Sequence, residues 1–235
     1  MTRMSRPAAH IVRADPAFKR IVETNMEMQQ RPEADSAFES LLSAIVYQQL
    51  AGAAARTIHG RVVTALGGAP ILPESVLATK PELLRAAGLS ANKLAAIIDL
   101  AAKFIDGTVP VHDLDELSDD EIVERLVKVR GVGRWTAEMF LIFQLHRADV
   151  WPVDDLGVRN GWARIHDLST PPTSKELAPL GDVLRPYRST AAWYCWRAVA
   201  PAPIVAAAKP VAARRVAAPA VKAAGRRPPS RPKRA

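Results

Sequence analysis

Two adjacent carboxylates, Asp154 and Asp155, end a short apolar run and are the first candidates for chemistry in this sequence. A carboxylate beside a reacting carbon can stabilise a developing positive charge, and it can orient or deprotonate a water molecule. Neighbouring residues at the start of a helix point roughly 100° apart, so the pair cannot face one substrate as an acid and a base. We expect one of them to cap a helix and the other to face a site. Alternatively, both serve only as caps.

A glycine-containing turn precedes these carboxylates by about twenty residues. It has the sequence VRGVGRW (129–135) and separates a helix predicted over 119–128 from one predicted from Arg134 to about Leu145. Gly131 and Gly133 permit a tight turn and let another backbone come close. The amides of residues 132–135 then lie unsatisfied at a helix N-terminus, which can bind an anion such as a phosphate. Such a turn can also do no more than join two helices.

The elements that must position these residues are all predicted to be helices. The stretch 36–50 places its large apolar side chains on one face, and Ser36 with Glu39 forms the pattern of a capping box. Ser90 is a predicted cap, and Ser118 with Glu121 repeats the capping box. Other helices are predicted over about 53–66, 81–101 (two helices), 174 onward and 189–199. No alternating pattern of useful length occurs, so the sequence predicts an all-α fold of roughly nine or ten helices.

Composition restricts the class of protein. The chain has 235 residues, about half of them apolar, and no run of about 18 apolar residues that could span a membrane. Its N-terminus lacks the apolar stretch of a secretory signal. Cys195 is the single cysteine, so an internal disulfide and a multi-cysteine metal site are excluded. We expect Cys195 to be a small buried apolar residue, and the chain to be cytoplasmic.

The positive charge is concentrated at the C-terminus. The net charge is +8, but residues 201–235 carry nine Lys or Arg and no acid, which leaves 23 basic and 24 acidic residues in the rest. The Ala/Pro/Lys/Arg composition of 201–235 cannot supply a core, so we expect this tail to be disordered. A basic tail can hold polyanions loosely through counterion release, or it can be a solvated segment without a specific role.

Together, these spaced motifs resemble the helix–hairpin–helix DNA glycosylases related to endonuclease III. The resemblance is carried by the hairpin LVKVRGVGRWTAE (126–138) and by AIVYQQLAGAAA (44–55), AAGLSANKL (86–94), VWPVDDLGVR (150–159) and RPYRSTAAWYCW (185–196). It covers about 35–200. It implies a glycosylase domain over 1–200 with two helical lobes and a cleft between them, the hairpin lying at about 119–145.

Within that superfamily, the chain is most similar to the DNA-3-methyladenine glycosylase II branch in its short, all-helical form. Trp135 stands where the bifunctional glycosylase/lyases carry a Schiff-base lysine, and the C-terminal four-cysteine iron–sulfur pattern is absent. The resemblance implies a monofunctional enzyme that flips out alkylated purines, such as 3-methyladenine and 7-methylguanine, and hydrolyses their N-glycosidic bond. We expect base excision repair of alkylation damage on double-stranded DNA by a nucleoid-associated monomer, with no AP-lyase activity and no cofactor.

The resemblance also assigns roles to individual residues. It implies Asp155 as the catalytic acid and Asp154 as the helix cap. The base pocket is expected to contain Trp135, Trp196 and Met139, together with Gln48 and Trp193. Indole faces attract cations by about 0.5–2 kcal/mol, which suits a positively charged alkylated base. A tryptophan can equally be part of the core, and this alternative is strongest for Trp193.

Contacts with DNA are expected at two turns. Gln49 and Leu50 are the candidate wedge that fills the gap left by the flipped base. The candidate backbone-binding hairpin consists of Gly131, Val132, Gly133 and Arg134, with a possible monovalent cation at the carbonyls of Val129 and Val132. Lys93 and Arg188 are further candidate phosphate contacts.

Three other functions remain compatible with the sequence. The chain could be a glycosylase for oxidised or mismatched bases, although the absence of a lysine at position 135 argues against the lyase form. It could be a non-catalytic lesion-binding protein on the same fold, against which Asp155 argues. A plain helix–hairpin–helix binding module would need neither the carboxylate nor the aromatic pocket.

Overall fold

The computed structural model describes residues 4–24, 28, 36–110 and 114–200. The tail 201–235, for which the sequence predicts disorder, lies outside the described residues. Within the described ranges, the chain forms helices and turns and contains no strand. The predicted all-α class is therefore confirmed.

The described residues form twelve α-helices. In chain order they are α1 (Arg6–Ala14), α2 (Lys19–Thr24), α3 (Ala37–Tyr47), α4 (Gly52–Ala65), α5 (Pro73–Ala78), α6 (Pro81–Ala86), α7 (Ala91–Ile105), α8 (Asp119–Leu126), α9 (Arg134–Phe143), α10 (Leu156–Ile165), α11 (Ser174–Leu180) and α12 (Arg188–Val199). Three short 3-10 turns lie at Pro16–Phe18, Leu114–Glu116 and Asp182–Leu184. The number of helices exceeds the predicted nine or ten because α2, α5 and α6 have only six residues each. Such lengths are too short for a clear periodic pattern.

Side-chain caps begin the helices where the sequence predicts them. The hydroxyls of Ser90 and Ser118 accept the amides of Lys93 and Glu121, and Glu121 Oε2 accepts the Ser118 amide at 2.9 Å, which completes a capping box. Ser36 caps α3 by accepting the Glu39 amide at 3.0 Å. The carboxylate of Glu39 does not return to Ser36. It accepts the Ile71 amide at 2.6 Å instead, so this predicted capping box is only half formed.

The apolar residues form two clusters, which correspond to two lobes. The first cluster is built by α3 to α9, from Phe38 to Val150. The second combines both ends of the described chain, because α1 and α2 pack with the α10–α12 region. Trp196 of α12 packs against both clusters. The two clusters are in line with the two-lobed arrangement that the resemblance implies, and Trp196 lies at the boundary between the clusters.

Helices α10 and α12 cross in close contact. A Cβ atom added to Gly161 would overlap the backbone of Cys195, so only glycine permits this approach. Cys195 itself is fully buried and free, and burial raises the pKa of its thiol. This confirms the interpretation of Cys195 as a small apolar core residue.

None of the helices described here is long and apolar enough to cross a lipid bilayer.

Candidate active site

Asp155 lies at the start of α10 with 9% of its surface exposed. It is the N-cap residue of that helix, because its Oδ1 accepts the Val158 amide at 2.8 Å. The expectation that Asp154 caps the helix is therefore wrong, and Asp154 is exposed. One carboxylate can both cap and face a site because each of its oxygens accepts two hydrogen bonds.

Two indole N–H groups also donate hydrogen bonds to this carboxylate. Trp135 Nε1 donates to Asp155 Oδ2 at 2.6 Å, and Trp196 Nε1 donates to Oδ1 at 2.8 Å. With the Val158 amide, Oδ1 already accepts two hydrogen bonds, whereas Oδ2 accepts one. The carboxylate plane is fixed by three donors, and one acceptor position is left on Oδ2 for a further ligand such as water.

The start of α12 holds the backbone that leads to this carboxylate. The guanidinium of Arg188 donates to Asp149, with Nε 2.8 Å from Oδ1 and Nη2 3.0 Å from Oδ2. The next residue, Ser189, accepts the Val150 amide and donates to the Arg147 carbonyl. This geometry corrects the expectation that Arg188 binds phosphate, because its side chain is engaged with Asp149. The sequence motif RS at 188–189 thus fixes the approach to Asp155.

A cavity of about 630 Å³ lies between α3, α4 and α9. Its volume is in the range of roughly 300–1,000 Å³ that small-molecule sites occupy. Met139 lines it, and so does Phe143, whose ring stacks on Trp196 at a centroid distance of 5.6 Å. Phe143 thus links the cavity to Trp196, which donates to Asp155 but does not itself line the cavity. The other wall residues include Ser40, Ser43, Ala44, Tyr47, His59, Val63, Thr136, Phe140 and Gln144.

The cavity offers the carboxylate of Glu39 and several polar groups beside its apolar wall. Burial lowers the pKa of His59, so its imidazole is neutral at pH 7. The Tyr47 ring meets this imidazole edge-on at 6.1 Å. Trp135 does not line the cavity, and the residue is 47% exposed although its N–H is bound to Asp155. Part of this residue is therefore accessible to a ligand.

Two residues expected in the base pocket are engaged elsewhere. The amide of Gln48 donates to the carbonyl of Gly131 at 3.1 Å, which ties the end of α3 to the hairpin. Trp193 packs against the second apolar cluster, in line with the alternative that it belongs to the core. Neither residue is among those that line the cavity, and the other expected pocket residues Trp135 and Trp196 do not line it either.

Hydrogen bonds connect the hairpin between α8 and α9 to the end of α3 and to α7. Gly131 has a φ of +76°, which favours glycine, and its carbonyl accepts the Gln48 amide. Asp99 of α7 accepts the Arg130 backbone amide at 2.7 Å. The Val132 amide donates to the Val129 carbonyl at 3.0 Å, so it is not among the free donors that the sequence led us to expect. The Val129 carbonyl retains a second lone pair for a cation.

Gly133 differs from Gly131 in having no conformational need for glycine. Its φ is −96°, and an added Cβ would meet no described atom within 4 Å. Gly133 is also the N-cap of α9, and no side chain caps that helix. The open space and the uncapped amides at the α9 N-terminus suit the approach of an external anion.

Arg134 and Glu138 form an ion pair on the first turn of α9. Arg134 Nε lies 3.0 Å from Glu138 Oε1, the Arg134 side chain is 58% exposed, and Glu138 is 4% exposed. Burial raises the pKa of Glu138, although the Arg134 charge opposes this shift. Glu138 Oε2 is buried without a described hydrogen-bond partner. The pair leaves the outer guanidinium nitrogens of Arg134 free to face a ligand beside the hairpin.

The candidate wedge residues lie on an exposed turn after α3. Gln49 adopts a left-handed conformation with a φ of +55°, and Leu50 is exposed. Lys93 supports this turn, because its Nζ donates to the carbonyls of Val46 and Gln48 at 2.7 Å each. Burial lowers the pKa of Lys93. Lys93 therefore stabilises the C-terminus of α3, which corrects its expected role as a phosphate contact.

Sequence reasoning missed Gly157 and Gly161. The two glycines lie four residues apart on α10, so they share the face that packs against α12. This spacing was the available signal for a close helix crossing.

Both the family comparison and the similar sequences point to base excision DNA repair proteins. The family model for the HhH-GPD superfamily base excision DNA repair protein matches residues 42–186. DNA-3-methyladenine glycosylase 1 of Schizosaccharomyces pombe is 35% identical over 202 residues, which cover 84% of this chain and 88% of the relative.

Two solved structures are similar to this chain. That of the 3-methyladenine DNA glycosylase of S. pombe in complex with abasic DNA has a TM-score of 0.72 and 35% identity, and it covers 82% of this chain and 96% of the other. That of the DNA-3-methyladenine glycosidase of Bacillus halodurans has a TM-score of 0.76 and 34% identity, and it covers 83% and 89% of the two chains.

Proposed function

The chain belongs to the HhH-GPD superfamily of base excision DNA repair proteins, and we propose that it is a monofunctional DNA glycosylase that excises alkylated purines. The names of the similar proteins, DNA-3-methyladenine glycosylase and glycosidase, support this substrate class. The single observation that carries the proposal is the buried Asp155 carboxylate, fixed by the N–H groups of Trp135 and Trp196. The Trp196 ring stacks on Phe143, which lines a cavity of about 630 Å³.

The carboxylate supplies the charge that the reaction needs. Breaking the bond between a base and C1′ of deoxyribose passes through an oxocarbenium-like transition state with positive charge at C1′. A carboxylate that is fixed before the reaction stabilises this charge without reorganisation. The remaining acceptor position on Asp155 Oδ2 can orient the attacking water, which then forms the new bond to C1′ while the base leaves with the bonding electrons. The water loses one proton in this step, and the Asp155 carboxylate can accept it.

Selection of the base follows from its charge. 3-Methyladenine and 7-methylguanine in DNA are cationic, so they leave without prior protonation. The exposed face of Trp135 and the aromatic wall formed by Phe143 and Trp196 attract a cation, while the neutral His59 does not repel it. Met139 completes the wall with an adaptable apolar side chain.

Water, rather than an amine of the protein, is the proposed nucleophile. An indole nitrogen is not nucleophilic, and the N–H of Trp135 donates a hydrogen bond to Asp155. Position 135 therefore cannot form a Schiff base with the deoxyribose, and we expect no AP-lyase activity. The product is an intact strand with an abasic site.

The proposed DNA contacts are those of a double-stranded substrate bound by one protein molecule. Gln49 and Leu50 fill the space of the flipped base, and the uncapped α9 N-terminus with Arg134 holds the backbone phosphate. The S. pombe structure in complex with abasic DNA supports a DNA partner. A monovalent cation at the carbonyls of Val129 and Val132 stays part of this proposal.

The experiment is incubation of the full chain with dimethyl-sulfate-treated duplex DNA and chromatography of the released bases. We expect 3-methyladenine and 7-methylguanine in solution, and strand breaks only after alkali treatment. Strand breaks without alkali would contradict the monofunctional assignment. Duplexes of the same sequence that carry 8-oxoguanine or a mismatch serve for comparison. Release of these bases without release of methylated bases would favour a glycosylase of another specificity. Tight binding to methylated DNA without any release would indicate a lesion-binding protein.

A further inference from the structure

Gly157, in the first turn of α10, lies directly against the indole of Trp196. A Cβ atom at this position would be 2.8 Å from Trp196 Cδ1, 3.1 Å from Trp196 Nε1 and 3.0 Å from Asp155 Oδ1. Carbon atoms do not approach this closely without displacement. The neighbouring groups cannot easily give way, because Trp196 is stacked on Phe143 and the carboxylate is held by three donors.

The backbone at Gly157 does not itself require glycine. The residue lies within a regular α-helix, where glycine is less favourable than alanine. The missing side chain is therefore explained by the space that it leaves for Trp196 and not by the conformation of the chain.

Gly161, one turn later, sets the distance between the two helices. An added Cβ there would overlap the backbone of Cys195, the residue that precedes Trp196. The two glycines have different effects. Gly161 brings the α12 backbone close to α10, and Gly157 then leaves room for the Trp196 side chain to reach the carboxylate.

We propose that Gly157 is a positioning residue of the reaction: it leaves the space through which Trp196 Nε1 reaches Asp155 Oδ1. This inference rests on the proposed function, since it concerns how the glycosylase fixes its catalytic carboxylate. A methyl group at position 157 must displace either the indole or the carboxylate. In both cases the 2.8 Å hydrogen bond between them is lost, while the DNA-binding turns stay unchanged.

The test compares Gly157→Ala with Gly60→Ala, a matched control within α4. Gly60 is also a helical glycine, and a Cβ there would have no neighbour within 4 Å among the described residues. Excision of methylated bases is measured in single turnover with saturating enzyme, together with thermal unfolding and affinity for DNA that carries an abasic site. We expect Gly157→Ala to lower the excision rate at least about tenfold with unchanged affinity. Gly60→Ala should match the wild type.

A double-mutant cycle with Trp196→Phe separates this role from general packing. Phenylalanine has no N–H, so Trp196→Phe removes the same hydrogen bond, and Gly157→Ala in that background should cost little more. If the two losses multiply instead, Gly157 does not act through Trp196 and the inference is wrong. A fully active Trp196→Phe protein would also overturn it, whether or not Gly157→Ala folds. If the wild type releases no methylated base, the proposed function itself fails and this inference fails with it.

Discussion

If Asp155 is the catalytic carboxylate, as proposed, the hydrogen bond from Trp135 should contribute to the excision rate because it keeps this carboxylate in place. Trp135→Phe removes the 2.6 Å bond to Oδ2 but leaves the two donors on Oδ1, Trp196 Nε1 and the Val158 amide. A hydrogen bond to a charged group contributes about 1.5–3 kcal/mol. Because Trp135 is 47% exposed, water can replace its N–H in part, so we expect the lower end of this range. A loss of about 1.5 kcal/mol corresponds to roughly tenfold slower excision.

The assay is single-turnover release of 7-methylguanine from duplex DNA at saturating enzyme, so that binding does not limit the rate. Trp162→Phe is the control. Trp162 lies about two turns after Asp155 on α10 and belongs to the second apolar cluster. This control should lower the unfolding temperature but leave the saturated rate within about twofold. A Trp135→Phe protein that excises at the wild-type rate would refute the claim that this bond fixes the carboxylate.

Three further predictions concern stability and DNA binding. Burial raises the pKa of Glu138, so its contribution to stability is present at low pH and is lost as the pH rises through that raised pKa. Glu138→Gln should therefore raise the unfolding temperature at pH 8 but not at pH 4, and a variant less stable than the wild type at pH 8 would contradict this. Gly133→Ala should weaken DNA binding with little loss of stability, whereas Gly131→Ala, at a φ of +76°, should lower the unfolding temperature. Equal unfolding temperatures of these two variants would argue against distinct roles for Gly131 and Gly133. Arg134→Gln should reduce the slope of log affinity against log salt by about 1, and an unchanged slope would show that Arg134 makes no phosphate contact.

The helical class and the position of the hairpin were predictable because they depend on local signals. The apolar face of α3 and the caps Ser90 and Ser118 follow from short-range spacing, and the structure has them as predicted. The second apolar cluster could not be predicted from local signals. It joins α1 and α2 to helices that follow more than 120 positions later in the sequence, and no local pattern encodes such an association.

The details of the site depend on side-chain contacts over long sequence distances. Adjacent carboxylates led to an assignment of the cap to Asp154, but Asp155 is the cap and also accepts both indole N–H groups, because each of its oxygens has two acceptor positions. Lys93 and Arg188 looked like phosphate ligands because a sequence shows charge without its partner. In the structure, backbone carbonyls and Asp149 engage these charges. The indole N–H bonds to Asp155 span 20 and 41 residues, and no spacing rule predicts them.

The most direct test of Asp155 as the catalytic carboxylate compares two variants, Asp155→Asn and Asp154→Asn. For each, we would measure the excision of methylated bases from dimethyl-sulfate-treated DNA. The two variants change neighbouring residues by the same isosteric step, but only Asp155 lies against the two indoles. We expect release by the wild type and by Asp154→Asn, and loss of release by Asp155→Asn with DNA binding intact. Release by Asp155→Asn at the wild-type rate would show that Asp155 is not the catalytic carboxylate.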